Sequence, residues 1–269
     1  MRLLTVPGRQ GALWVRQGFR VLAQRPMAFA LLFIVFYAAF ALVGMLPFIG
    51  LFIALASLPL RSLGFMLATR RSLAGQVPTP LVFVEPLRGA RASVVSIVQL
   101  SALYALGVFL IFWIGNRFDA GALETFWKTA WSTAITPEAL EAKWSDPDLQ
   151  SGLLFRLVLL GVLALPFWHS PALAHWGGHS AVKALFFSCI ACWRNKAAFA
   201  VYGITWFALS VVLGLITSIL SVLFDQSLAV NVAFMAASFI MVTAFFASLY
   251  FTYADCFSAD AVPAPLPTS

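Results

Sequence analysis

The sequence predicts an all-α polytopic membrane protein, about six transmembrane helices joined by amphipathic interfacial helices, and three observations predict it. The 269 residues are 62% hydrophobic and only 10% charged, with a mean hydropathy of +0.93, whereas soluble domains are about one quarter charged. Such a chain cannot cover a water-facing surface. Apolar runs of roughly 20 residues recur along it, each long enough for the ~30 Å hydrocarbon core of a bilayer. The basic residues flank these runs along the whole chain, so the net charge of +7 encodes membrane topology and not nucleic-acid binding.

Residues 9–25, placed at 100° steps, put Arg9, Arg16, Gln17, Arg20 and Gln24 on one face and Trp14, Val15, Phe19, Val21 and Leu22 on the other. Two settings satisfy that pattern: a helix lying in the interface with its arginines on anionic headgroups, or one packed on the cytosolic ends of neighbouring spans. Pro26 suits the first turn of a new helix, and a first span follows over about 27–45. A tight turn at Leu46-Pro47 leads to a second span over about 48–69, which ends at Arg70-Arg71. The cytosolic connection 72–92 is expected to close with a short interfacial helix around Pro80 to Arg88.

A third span covers about 93–115 and is followed by one long polar insertion, 116–151, carrying Asp119, Glu124, Glu138, Glu141, Asp146 and Asp148 among Phe126, Trp127, Trp131 and Trp144. Thr136-Pro137-Glu138 reads as a helix start, so two short helices are expected, with their tryptophans on the membrane interface. Spans 4, 5 and 6 cover about 152–176, 197–224 and 228–257, and residues 180–195 form another amphipathic cytosolic piece. Residues 1–258 are thus a single transmembrane domain, and the proline-rich 259–269 a disordered tail. Ala54-Leu55-Ala56 imitates a signal cleavage site but lies inside the second run, so no cleavage is expected. Thirteen Lys and Arg fall on one side of the six spans and four on the other, which puts both termini in the cytosol and the acidic insertion outside.

The chain also reads as three copies of one unit, an interfacial piece plus a helical hairpin, over about 9–75, 76–179 (with the insertion removed) and 180–258. Gly18 to Ala30, Phe83 to Arg91 and Phe187 to Ala200 each join an interfacial piece through a basic stop to an outward span. In the returning spans Leu58-Pro59 matches Leu165-Pro166, and Gly64 to Thr69 loosely matches Ser248 to Tyr253. Same-orientation repeats imply a pseudo-symmetry axis along the membrane normal, with any site near it.

The proline-rich fourth span, Phe167-Trp168-His169-Ser170-Pro171-Ala172-Leu173, continuing into Lys183 to Ser188 and Arg194-Asn195, resembles a family of uncharacterised bacterial six-span inner-membrane proteins. More distantly, the arrangement resembles the membrane domain attached to some glycerophosphoryl diester phosphodiesterases. The resemblance covers most of the chain and implies location in the bacterial inner membrane. It carries over no catalytic residue, and no counterpart of the soluble phosphodiesterase domain is read here.

The polar groups inside or beside the spans are few. Arg61 is expected about 20 Å along span 2 and His169 about 26 Å along span 4, both in the cytosolic part of the bilayer. Together they could line a cytosol-open cavity for an anionic group such as a lipid phosphate; alternatively Arg61 snorkels and His169 bonds a carbonyl freed by Pro166 or Pro171. His175 and His179 have the i, i+4 spacing of metal ligands, but Gly177-Gly178 argues that the helix has ended between them. Cys189, Cys192 and Cys256 have no framework spacing and read as small apolar residues, a mixed Cys/His zinc site being the alternative.

No nucleophile elbow or phosphate loop occurs, and no acid stands at the centre of a span, which disfavours ion-coupled pumping. The expected function is therefore non-enzymatic and without a cofactor or metal. The protein would bind or move lipid or an amphipathic solute, or support membrane assembly, with the bilayer and its anionic phospholipids as partners and no nucleic acid. The alternative is a membrane-embedded, metal-dependent enzyme using the histidine cluster. Arg61, His169, His175 and His179 are the candidate ligand-binding residues.

Overall fold

The computed structural model describes residues 2–47, 49–130, 136–224 and 227–257, without the side chains of 137–140. Trp131, the Glu138 side chain and the tail 259–269 therefore lie outside the described residues. Within them the chain forms twelve α-helices and two 3-10 turns, with one isolated antiparallel bridge between Leu3 and Phe257.

The interfacial helix α1 (Gln10–Gln24) buries Trp14, Val15, Val21 and Leu22, the face that its periodicity marks as apolar. It is packed on neighbouring spans. The first span is α2 (Pro26–Gly44), and the second is split at Ser57 into α3 (Gly50–Ala56) and α4 (Leu58–Leu73), with Pro59 in the first turn of α4, where its missing N–H costs nothing. The third span is α5 (Arg91–Phe118). The insertion holds α6 (Ala122–Ala130) and α7 (Pro137–Trp144), the two short helices expected, and Trp144 stacks on Phe126 at 5.1 Å while Trp127 stays half exposed. The fourth span is α8 (Pro147–Phe167) continued after a break by α9 (Ser170–Gly177). After α10 (Ala181–Arg194) come α11 (Lys196–Leu223) and α12 (Leu228–Cys256). Among the described residues six helical stretches are long and apolar enough to cross a membrane, namely Pro26–Gly44, Gly50–Leu73, Arg91–Phe118, Pro147–Gly177, Lys196–Leu223 and Leu228–Cys256.

One expectation is corrected. The piece from Pro80 to Arg88 is not an α-helix but two 3-10 turns, Pro80–Phe83 and Glu85–Arg88, each with proline in its first turn. Two prolines six residues apart, each lacking an N–H, do not suit a continued i to i−4 ladder.

The contacts among elements follow a cyclic order. The turns of the second unit sit on α4 and α2 of the first, α10 of the third on α8, α9 and α5 of the second, and α1 of the first on α11 and α12 of the third. Each interfacial piece thus leans on the hairpin of the preceding unit, and the first on that of the last. Glycines sit at comparable contacts: a Cβ on Gly64 would fall 2.2 Å from the ring of Phe83, and a Cβ on Gly18 would fall 2.5 Å from the Ala244 carbonyl oxygen and 2.7 Å from the Ser248 Cβ. Glycine at 64 admits its interfacial piece, and at the equivalent contact on α12 the glycine lies in the interfacial piece itself. At Gly11 a Cβ would meet the Ala198 carbonyl oxygen at 2.1 Å, so α1 touches the α11 backbone directly.

Candidate functional site

The break in the fourth span is built by Pro171 and by Ser188 of α10. Pro171 has no N–H to continue the ladder, and the chain turns at Trp168-His169. In an unbroken helix the His169 N–H would donate to the Leu165 carbonyl; here the Ser188 hydroxyl of α10 stands between them, accepting from His169 N–H at 3.0 Å and donating to Leu165 O at 2.8 Å. An inserted side chain of this kind is an established cause of helix kinks. Removing it with Ser188→Ala leaves the buried His169 N–H unpaired and Leu165 O with only the Cys192 thiol at 3.8 Å, and is expected to cost about 1–3 kcal/mol. Unfolding of the purified variant in detergent, followed by circular dichroism, checks this.

The four sequence-predicted residues do not converge. His169 is fully buried, its ring among Phe199, Tyr253 and Phe257, with Nε2 3.3 Å from Thr252 Oγ1, which also accepts from Trp168 Nε1 at 3.2 Å. It serves the joint between spans, and the carbonyl freed at the kink is met by Ser188 and not by His169. His175 lies beside Trp176, within electrostatic reach of Glu85 and Arg70. Gly178, in the left-handed conformation at φ 63°, caps α9 before His179, so the two histidines share no helical face. His179 contacts Phe187, and partial burial together with Lys183 holds its imidazole below the ordinary value. Burial pushes the Cys192 thiol up to about 12. No group of three or more His, Cys, Asp or Glu stands together among the described residues.

Arg61 stands 11 residues from the start and 12 from the end of the stretch Gly50–Leu73, midway along it. No acid pairs with it among the described residues. Its Nη1 donates to the Tyr37 hydroxyl at 2.6 Å, its guanidinium lies 4.2 Å from the Phe246 ring centroid, and its Nε is buried without a partner. It lines a cavity of about 220 Å3 together with Pro59, Tyr104, Phe167 and Phe246. Three walls of that cavity are α4, the end of α8 and α12, the returning span of each unit, and both kinks, at Pro59 and next to Pro166, border it. Arg61 and His169 are therefore separated: Trp168 faces the cavity, while His169 serves the opposite contact with α10 and α12.

Comparison with known proteins agrees with this architecture. A probable inner membrane protein of Burkholderia thailandensis is 32% identical over 266 residues, which cover 98% of this chain and 97% of that one. The chain belongs to its family. No family profile and no solved structure matches. As a member of this inner-membrane family the protein is an integral, multi-pass membrane protein, in keeping with its six candidate spans.

Sequence reasoning missed the most buried ion pair among the described residues. Asp119, at the start of the insertion, meets Arg156 of α8 with Oδ2 2.6 Å from Nη1, the side chains 0% and 4% exposed. Two glycines make room for it: a Cβ on Gly115 would fall 2.5 Å from Arg156 Nε, and one on Gly152 would fall 2.5 Å from Asp119 Oδ2. Each glycine stands one turn before the charged residue of its own segment. That reciprocal Gly-x-x-x-Asp and Gly-x-x-x-Arg spacing is the signal that could have found the pair.

Proposed function

We propose that the protein is a non-enzymatic lipid-handling protein that binds the phosphate of a membrane phospholipid, or of a similar amphipathic anion, at Arg61. The observation that carries this reading is a guanidinium midway along a span, with no acid to neutralise it, facing a cavity walled by the returning spans of all three units. Ionisable groups at such depth are costly and serve ligands more often than structure, and a site near the axis of same-orientation repeats is where such folds bind. Arginine offers five donors, of which Tyr37 takes one, so a phosphate has several left to accept from. The distant resemblance to the membrane domain of certain glycerophosphoryl diester phosphodiesterases belongs to the same reading. So does the orientation, with both termini in the cytosol and the insertion outside, which rests on the Lys and Arg count.

Native mass spectrometry of the protein from mild detergent tests it. The wild type is expected to retain phospholipid, and Arg61→Gln to retain one molecule fewer per chain. Equal retention in the two proteins would sink the assignment of Arg61, and a stoichiometric zinc mass would replace it with a metal site.

A further inference from the structure

A second concavity, independent of Arg61, opens on the side of the insertion. It holds about 650 Å3, within the ~300–1,000 Å3 typical of small-molecule sites. Its apolar walls come from membrane-spanning stretches, Leu51 and Leu55 of span 2 and Phe109 and Trp113 of span 3. Leu51 and Phe109 are 63% and 57% exposed, so the groove is open sideways along two candidate membrane spans.

Its polar end is basic. Lys128 is paired with Glu124, and the Nη1 of Arg156 with Asp119. Arg117 has no acid within ion-pair distance among the described residues and rests on the ring of Trp113, 5.5 Å from its centroid. Arg156 also lines the groove; it is 3% exposed, and its Nε is buried with no partner although the residue is already ion-paired. A long apolar trough that ends at Arg117, a cation with no acid in reach among the described residues, is complementary in shape and charge to an anionic amphiphile.

We propose that this groove binds a phospholipid of the leaflet on the insertion side, its phosphate at Arg117 and the Arg156 guanidinium and one acyl chain along Leu51, Leu55 and Phe109. The Asp119–Arg156 pair acts as a positioning element that fixes the buried guanidinium at the end of the groove. A free phosphate lacks the chain that the walls require, and a soluble partner lacks access to them.

The test uses the full-length protein in liposomes containing a photoreactive phosphatidylglycerol, with cross-linked peptides mapped by mass spectrometry. Labelling is expected within residues 109–117 and is expected to fall about fivefold in Arg117→Gln, since one basic residue near the membrane surface is worth that much. Leu51→Trp, which fills the trough at an exposed position, should lower the labelling of the same peptide without touching the basic rim. Unchanged labelling in both variants would overturn the proposal. Equal labelling by a photoreactive diacylglycerol would overturn the phosphate contact, and competition by inorganic phosphate would assign the site to a free ion. Arg61→Gln should leave this labelling unchanged, so that failure here and failure at Arg61 are read separately.

Discussion

Replacing Asp119 by alanine is expected to destabilise the protein by about 3–5 kcal/mol, the usual cost of leaving one member of a buried ion pair without its partner. The guanidinium of Arg156 would keep Phe112 beneath it at 5.8 Å but lose its counter-charge. Removing both charges together, as Asp119→Leu with Arg156→Met, should restore most of the loss, because the penalty comes from the orphaned charge and not from the missing attraction. Thermal denaturation of the three proteins in one detergent measures both effects. The pH dependence follows from the same contact. Burial alone would raise the Asp119 carboxyl, but the hydrogen bond and charge of Arg156, helped by the N–H groups of Gly121 and Leu123, outweigh it and hold the group below its ordinary 3.8. A carboxyl lowered by folding contributes fully above its unfolded value and loses its contribution as pH falls through the folded one. The wild type should therefore show no loss from this pair between pH 7 and 5 and a decline only below about 3.8, which the double variant lacks.

Truncating Trp14 is expected to cost a similar amount, about 3–5 kcal/mol for a buried tryptophan reduced to alanine. The indole is fully buried, 5.3 Å from the ring centroid of Phe199 and 6.0 Å from that of Tyr202, and its Nε1 donates to Asp255 Oδ2 at 2.7 Å. Trp14→Phe keeps most of the packing and gives up the bond to a charged acceptor, worth about 1.5–3 kcal/mol; Gln10 still donates to the same oxygen at 2.6 Å. Hydrogen exchange separates a local from a global effect. Loss of protection confined to Gln10–Gln24 would mean that α1 detaches alone, whereas loss extending into α11 and α12 would mean that it clamps them.

The spans were legible because their signal is compositional: a run of apolar residues between basic flanks needs no knowledge of what it meets. The break in the fourth span was legible at Pro166 and Pro171 because proline acts on its own backbone. The turns around Pro80 and Pro86 were not, since their apolar residues satisfy a helical and a 3-10 spacing over so few positions. For α1 the apolar face was readable, but the surface it meets was not, because amphipathicity states that a face is buried and not where. The same limit explains the histidines. Gly178 correctly signalled a stop before His179, yet nothing within eleven residues of sequence foretold that Ser188, Thr252 and Phe257 would close around His169 and leave Arg61 alone at its cavity. Asp119 and Arg156, 37 positions apart, were hidden among surface charges of the insertion and the end of a span.

The way the chain closes on itself sets an order of assembly. Leu4 N–H donates to Cys256 O at 2.8 Å, Val6 N–H to Asn195 Oδ1 at 2.8 Å, Asn195 Nδ2 to Leu4 O at 3.0 Å, and Gln10 and Trp14 share the carboxylate of Asp255. Every one of these partners is made late by the ribosome, and a growing chain emerges at only about 5–20 residues per second. The N-terminal helix therefore cannot complete its docking until α11 and α12 have both been made. A nascent chain arrested before Asp255 would leave Gln10 and Trp14 without the carboxylate they share, so the last residues of the bundle act as the latch on the first.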